Sequence, residues 1–145
     1  MNVQGRTGSP GDAEENRQQE EFRSFQRTVE IISGKWKGVL LYQLISGTKR
    51  FNEIRRLCPG ITQRMLSMQL RELERDGLVR REVFPQVPQR VEYSLTAWGR
   101  GLEPALLSIK VWGEGYREGR AQSETALQLE DTAVRSSSGT ANIPE

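Results

Sequence analysis

The first part of the chain alternates between apolar and polar positions at the spacing of short helices. Apolar side chains recur every three or four residues from Phe22 to Ile32 and again from Trp36 to Leu44, and a Ser-Gly pair follows each run. A polar-faced third helix is predicted from Phe51 to Leu57, after the connector Lys49-Arg50, which is compatible with a small edge strand. The pattern therefore predicts three consecutive helices.

A turn and a fourth helix follow. The segment Cys58–Ile61 contains a proline and a glycine, which interrupt the helical pattern. Thr62 can cap the next helix through its hydroxyl, and Leu66, Leu70 and Leu73 form a narrow apolar stripe on that helix. The third and fourth helices are thus a candidate helix-turn-helix pair.

The remaining pattern predicts a hairpin and a last helix. Residues Val79–Phe84 and Arg90–Leu95 have the composition and alternation of strands, and the proline-rich segment between them predicts an extended tip. Thr96 is predicted to cap a single long final helix. The apolar face predicted for that helix contains Leu102, Leu106, Ile109 and Tyr116, widened by Trp98, Ala105 and Trp112.

This order of elements is that of a mainly α winged helix-turn-helix domain with a small β-hairpin wing. In such a domain the second helix of the helix-turn-helix pair enters the major groove of DNA. With the leucine stripe facing inward, donors and acceptors suited to bases and phosphates point outward. The predicted contact residues on this helix are Thr62, Gln63, Arg64, Ser67, Met68, Arg71 and Arg75. The alternatives are an ordinary solvated helix face and a winged helix that binds proteins without reading DNA sequence.

Three further cations are candidate contacts to the DNA backbone. Arg90 lies at the base of the hairpin tip, where a long cation can reach a phosphate or a narrow minor groove. Lys49 and Arg50 stand at the start of the first helix-turn-helix helix. The alternative for all three is a solvated surface charge.

Charge and composition narrow the choice of function. The net charge is only +2, yet residues 22–120 contain 18 Lys and Arg against 10 Asp and Glu, while the two ends contain 3 against 9. A basic centre suits a polyanionic partner such as double-stranded DNA. The chain has no histidine and one cysteine, so we predict no catalytic residues, no metal site and no cofactor. It also has neither an apolar run of about 18 residues nor a leader-like start, which predicts a cytoplasmic protein without a membrane partner.

The ends differ from the centre in composition. Residues 1–20 and 121–145 are polar and poor in large apolar side chains, so they are predicted to be disordered tails. The predicted DNA-binding and dimerisation domain spans 21–120.

Six motifs, in order, resemble the HxlR-type bacterial regulators, which are related to the MarR group. They cover about residues 23–116 and are Gly34–Lys37, Arg50–Ile54, Pro59–Ser67, Leu70–Glu74, Asp76–Leu78 and Val91–Thr96. The resemblance implies a dimeric repressor or activator that binds a pseudo-palindromic operator, with the first and last helices forming the dimer interface. A small-molecule effector is left open.

The apolar residues of the terminal helices fit that implication, because they offer more apolar surface than one small core needs. The alternative is that all of them belong to the core of a monomer. The predicted interface residues are Phe22, Phe25, Val29, Leu102, Leu106, Ile109, Trp112 and Tyr116.

Redox sensing occurs in the family, but the resemblance does not imply it for this chain. Several members of the family sense oxidants through a cysteine that precedes the first helix, and the matching stretch here is Arg23-Ser24-Phe25. The one cysteine, Cys58, lies in the helix-turn-helix turn, where we predict an inert, partly buried thiol. The alternative is that Cys58 is itself a sensor.

Overall fold

The computed structural model describes residues 8–139 and confirms the predicted fold class. Of these, residues 8–102 form one compact unit and residues 103–139 form a second. The elements, in chain order, are α1 (Pro10–Ile32), α2 (Lys37–Leu44), β1 (Lys49–Arg50), α3 (Phe51–Leu57), α4 (Gln63–Arg75), β2 (Val79–Phe84), β3 (Arg90–Leu95), α5 (Ala97–Gly101) and α6 (Glu103–Ser137).

The core of the first unit is built from the apolar faces of α2, α3 and α4. Each fully buried leucine or isoleucine contributes about 1.5–3 kcal/mol relative to an exposed one. Because the stripe of α4 is buried, the opposite side of this helix must face outward. The side chains with almost no exposure are Leu40, Leu41, Leu44, Ile54, Leu66, Leu70 and Leu73.

Both ends of α4 are fixed by local hydrogen bonds. The hydroxyl of Thr62 accepts from the backbone N–H of Met65 at 3.1 Å, as predicted for a helix cap. At the other end Gly77 adopts a φ of 75°, which a glycine tolerates without a steric cost. The N–H of Leu78 then donates back to the carbonyl of Leu73 at 3.0 Å, which completes a Schellman motif.

The wing is a three-stranded antiparallel sheet in the order β1-β3-β2. The two long strands have the predicted bounds, and β1 is the predicted edge strand. Tyr93, in the central strand, lies opposite Lys49 on one side and Arg81 on the other. Its burial anchors the sheet to the helical core.

A glycine joins the end of the sheet to the end of α4. The Thr96 N–H donates to the Leu78 carbonyl at 3.0 Å, and the Thr96 hydroxyl accepts from the Gly99 N–H at 3.1 Å. A Cβ added at Gly99 would lie 2.1 Å from the Leu78 carbonyl oxygen. Only glycine therefore allows this close approach of α5 to the chain that follows α4.

The predicted single final helix is wrong, because the structure divides it into α5 and α6. Leu102 is the C-terminal cap of α5, and α6 begins at Glu103. Two glycines in α5 lower its helix propensity, and Pro104 has no N–H to continue a helix but suits a first turn. Two predicted interface residues have less free surface than expected: Leu106 is only 6% exposed and Leu102 is half-buried.

The helices also extend into the predicted tails. Helix α1 begins at Pro10, where the Ser9 N–H donates to the Asp12 carboxylate at 3.0 Å, and α6 continues to Ser137. These extensions bury nothing, and pairs such as Arg120 with Glu124 at 3.2 Å support them. The predicted tail segments 1–7 and 140–145 lie outside the described residues. Across 8–139, no helix, not even the 35-residue α6, is long and apolar enough to cross a membrane.

Candidate nucleic-acid interface

The outward face of α4 is polar, cationic and accessible along its whole length. Each residue predicted to contact DNA from this helix is exposed, whereas the three leucines behind them are fully buried. The separation is the one that the helical periodicity predicted. The exposed members are Gln63, Arg64, Ser67, Met68, Arg71 and Arg75.

The length of α4 separates two kinds of contact. Arg75 follows Arg64 by eleven positions, which corresponds to about 16 Å along the axis. The N-terminal residues of a recognition helix are the ones that contact base edges, so a residue in the last turn is less suited to them. Arg64, Ser67 and Arg71 are suited to bases, whereas Arg75, in the last turn, is suited to a flanking phosphate.

An ion pair that sequence reasoning missed connects α2 to α4. The Lys37 ammonium lies 2.8 Å from a carboxylate oxygen of Glu72, and its side chain is only 18% exposed. The hydrogen bond and the charge of Lys37 lower the pKa of Glu72, with a smaller contribution from Arg75. The charge of the Glu72 carboxylate is thus compensated within the protein.

Arg50 and Arg90, both predicted backbone contacts, lie in one recess between the start of α3 and the start of β3. Its lining also contains Asn52, Gln89 and Arg56. Sequence reasoning missed Arg56, although Asn52 and Arg56 stand four residues apart on the outward side of α3. The recess also contains the Glu53 carboxylate, so its three arginines leave it with an excess of positive charge that suits a phosphate group.

Arg90 is less free than its sequence position suggested. Its guanidinium lies 4.0 Å from the centroid of the Phe84 ring, and its Nε is 3.3 Å from the Glu92 carboxylate. The second contact is an ion pair without hydrogen-bond geometry. Because the side chain is only 31% exposed, the wing holds this cation in one place and offsets part of its charge.

Two other predicted residues have separate positions. Lys49 is not among the residues that line the Arg50 and Arg90 recess, and its ammonium donates to the Ser46 hydroxyl at 2.7 Å. Thr62 uses its hydroxyl as the cap of α4. The structure therefore gives Thr62 a structural role at the helix start.

The tip of the wing contains no charged residue. Residues Pro85 through Gln89 are all exposed, and Val87 is completely exposed. The tip can therefore neutralise no phosphate. Its glutamines can donate to the acceptors of the minor groove, and Val87 can make apolar contact there.

Comparison with known proteins identifies the family. The family model for HxlR-like helix-turn-helix proteins matches residues 31–121. The chain belongs to the HxlR-like family. It is therefore a DNA-binding helix-turn-helix transcription regulator, as the motifs predicted.

The sequence of this chain is similar to those of its relatives over most of their length. The HTH-type transcriptional regulator YdeP of Bacillus subtilis (strain 168) is 62% identical over 104 residues, which cover 72% of this chain and 81% of YdeP. Among solved structures, the redox regulator HypR in its reduced form is 62% identical with a TM-score of 0.63, covering 65% of this chain and 93% of HypR. The crystal structure of the HTH-type regulator YtcD is 49% identical with a TM-score of 0.62, covering 65% and 96%.

In this HxlR-like chain two rows of large apolar side chains remain accessible. One row is on α1 and the other on α6, and both have the spacing i, i+3 and i+7. On α6 the rings of Trp112 and Tyr116 stack with centroids 5.0 Å apart. The six residues, between 43% and 68% exposed, are Phe22, Phe25 and Val29, and Ile109, Trp112 and Tyr116.

The thiol of this HxlR-like chain is enclosed. Cys58 is 2% exposed, and this burial raises the pKa of its thiol. A higher pKa leaves less thiolate at neutral pH, and thiolate is the form that oxidants attack. The position in the turn before α4 therefore disfavours reactivity.

Proposed function

We propose that this regulator controls transcription by binding a pseudo-palindromic operator as a homodimer, with α4 in the major groove. The single observation that carries the proposal is the two-sided character of α4, with a buried leucine stripe and an exposed face of donors. Arg64 and Arg71 have the reach to bond guanine, and Met68 can contact a thymine methyl. Gln63 and Ser67 supply further hydrogen bonds.

Contacts to the backbone come from cations around α4. Arg50, Arg56 and Arg90 share one recess, Arg75 stands at the end of α4, and Lys49 lies on the edge strand. Each phosphate that such a cation neutralises releases condensed counterions, so binding weakens as salt rises. These residues position the protein on the duplex, while α4 reads the sequence.

The homodimer is supported by the two apolar rows of α1 and α6. Large exposed apolar surface on a small domain is typical of an interface, and a two-fold dimer matches a palindromic site. Regulation of this kind requires no catalytic centre, cofactor or metal, and we propose that the protein has none. Its place of action is the cytoplasm, where a bacterial chromosome lies.

Control by oxidation is not part of the proposal. HypR is a redox regulator, and it is similar to this chain. Here, however, the one thiol is that of Cys58, which is enclosed and has a raised pKa. We propose that the protein binds DNA equally well in reducing and mildly oxidising conditions.

The experiment is selection of sheared genomic DNA of the host by the purified protein, followed by sequencing. We expect fragments that share an inverted repeat, with half-site centres about 10 base pairs or a multiple apart. Arg71→Ala should recover that repeat poorly. Recovery of bulk DNA without a shared sequence would contradict operator binding, and no recovery at all would favour a protein-interaction module.

A further inference from the structure

The geometry points to a further DNA contact on the wing: Arg81 of β2 binds a backbone phosphate beside α4. Sequence reasoning placed no DNA contact on β2. The inference rests on the proposed function, since it assumes that α4 enters the groove. It adds β2 to the elements that contact DNA.

The strand register decides the side on which Arg81 lies. Side chains alternate between the two faces of a strand, and residues directly opposite each other share a face. Arg81 lies opposite the buried Tyr93, so it is on the face that packs against the helical core. The adjacent Arg80 is on the outer face, together with Glu82.

A single open recess brings Arg81 to the recognition surface. Its lining contains Ser67, Arg71 and Glu74 of α4 together with Arg81 and Tyr93 of the sheet. Ser67 and Arg71 belong to the outward face of α4 that the proposed function places against DNA. A duplex bound by that face would therefore pass next to Arg81.

The charges of the two faces differ. On the outer face Arg80 is 3.7 Å from Glu82, and Arg90 is 3.3 Å from Glu92, so the carboxylates there already have cationic partners. In the part of the chain that the structure describes, neither Arg71 nor Arg81 is ion-paired with a carboxylate.

The recess is consequently cationic and suited to one phosphate. Two guanidinium groups and one carboxylate, that of Glu74, line it. A phosphate beside Arg81 would reduce the repulsion between the two cations and accept charge-assisted hydrogen bonds from Arg81, while Arg71 faces the base edges. Because a phosphate is present at every base step, this contact adds affinity for any sequence.

The test compares Arg81→Ala with the matched control Arg80→Ala, which removes the same charge from the adjacent residue on the other face. Affinity is measured for the selected operator fragment and for an unrelated duplex over a range of salt concentrations. We expect Arg81→Ala to weaken both complexes by the same factor and to reduce the slope of log affinity against log salt by about one. Arg80→Ala should match the wild type, and Arg81→Lys should keep the slope.

Two results would overturn the inference. One is an Arg81→Ala protein that binds like Arg80→Ala, and the other is a loss confined to the operator, which would mean that Arg81 contacts a base. Failure of the proposed function is distinguishable from both, because it would appear as a wild type without operator preference. Thermal unfolding of each variant checks that the exposed substitution leaves the fold intact.

Discussion

Gly99→Ala tests the junction that holds the sheet against the end of α4. The new methyl carbon would lie 2.1 Å from the Leu78 carbonyl oxygen and 3.2 Å from a methyl of Leu95. Since the first contact is with backbone, a side-chain rotation cannot relieve it. The chain must move by about 1 Å or more to reach ordinary separation, and that movement strains the hydrogen bond from the Thr96 N–H to the same oxygen.

The magnitude follows from three contributions. Overpacking costs about 1–3 kcal/mol, and a weakened backbone hydrogen bond costs about 0.5–1.5 kcal/mol. Replacing glycine by alanine inside a helix stabilises the folded state by about 1 kcal/mol, which offsets part of this cost. The free energy of unfolding should therefore fall by about 0.5–3.5 kcal/mol.

Urea unfolding, monitored by circular dichroism, measures the change, and Gly101→Ala is the matched control. Gly101 lies in the same short helix, and an added Cβ would have no heavy atom within 4 Å. Alanine there should leave stability unchanged or raise it by up to about 1 kcal/mol. A Gly99→Ala protein as stable as Gly101→Ala would refute the close-packed junction.

Two other predictions address assembly and control. Ile109→Glu places a charge in the proposed dimer interface and should convert the dimer to a monomer in analytical ultracentrifugation. The control Leu129→Glu, about 200° around the same helix, should leave the dimer intact. A monomeric wild type at micromolar concentration would contradict the interface. Cys58→Ser should keep operator affinity within about threefold of the wild type. Mild oxidants should not release the wild type from DNA, because burial keeps the thiol unreactive. Release of the wild type by oxidant, without release of Cys58→Ser, would identify Cys58 as a sensor.

Where local chemistry fixes an element, the sequence predicts it closely. Thr62 marks the start of α4 as predicted, because its hydroxyl cap acts within a few residues. The two long strands have their predicted bounds because Val91, Tyr93 and Leu95 alternate with polar residues. The division of the last helix carried a local signal too, in the glycines of α5 and in Pro104.

Other features depend on information that periodicity does not contain. Helix α1 extends to Pro10 without burying its side chains. A prediction based on apolar faces therefore places the start of this helix too far along the chain. Lys37 and Glu72 meet across two helices, and Arg81 reaches the α4 surface only through the strand register. Such contacts join residues far apart in sequence, and a single sequence gives no measure of their distance.

The direct test of the central claim, that α4 reads the DNA sequence, is the specificity ratio of Arg71→Ala. This ratio is the affinity for the selected operator divided by the affinity for an unrelated duplex, measured at one salt concentration for the wild type, Arg71→Ala and Arg80→Ala. Loss of a base contact worth about 1–3 kcal/mol should lower the ratio about 5- to 150-fold in Arg71→Ala and leave it unchanged in Arg80→Ala. An Arg71→Ala protein with the wild-type ratio would contradict the assignment of α4 as the recognition helix.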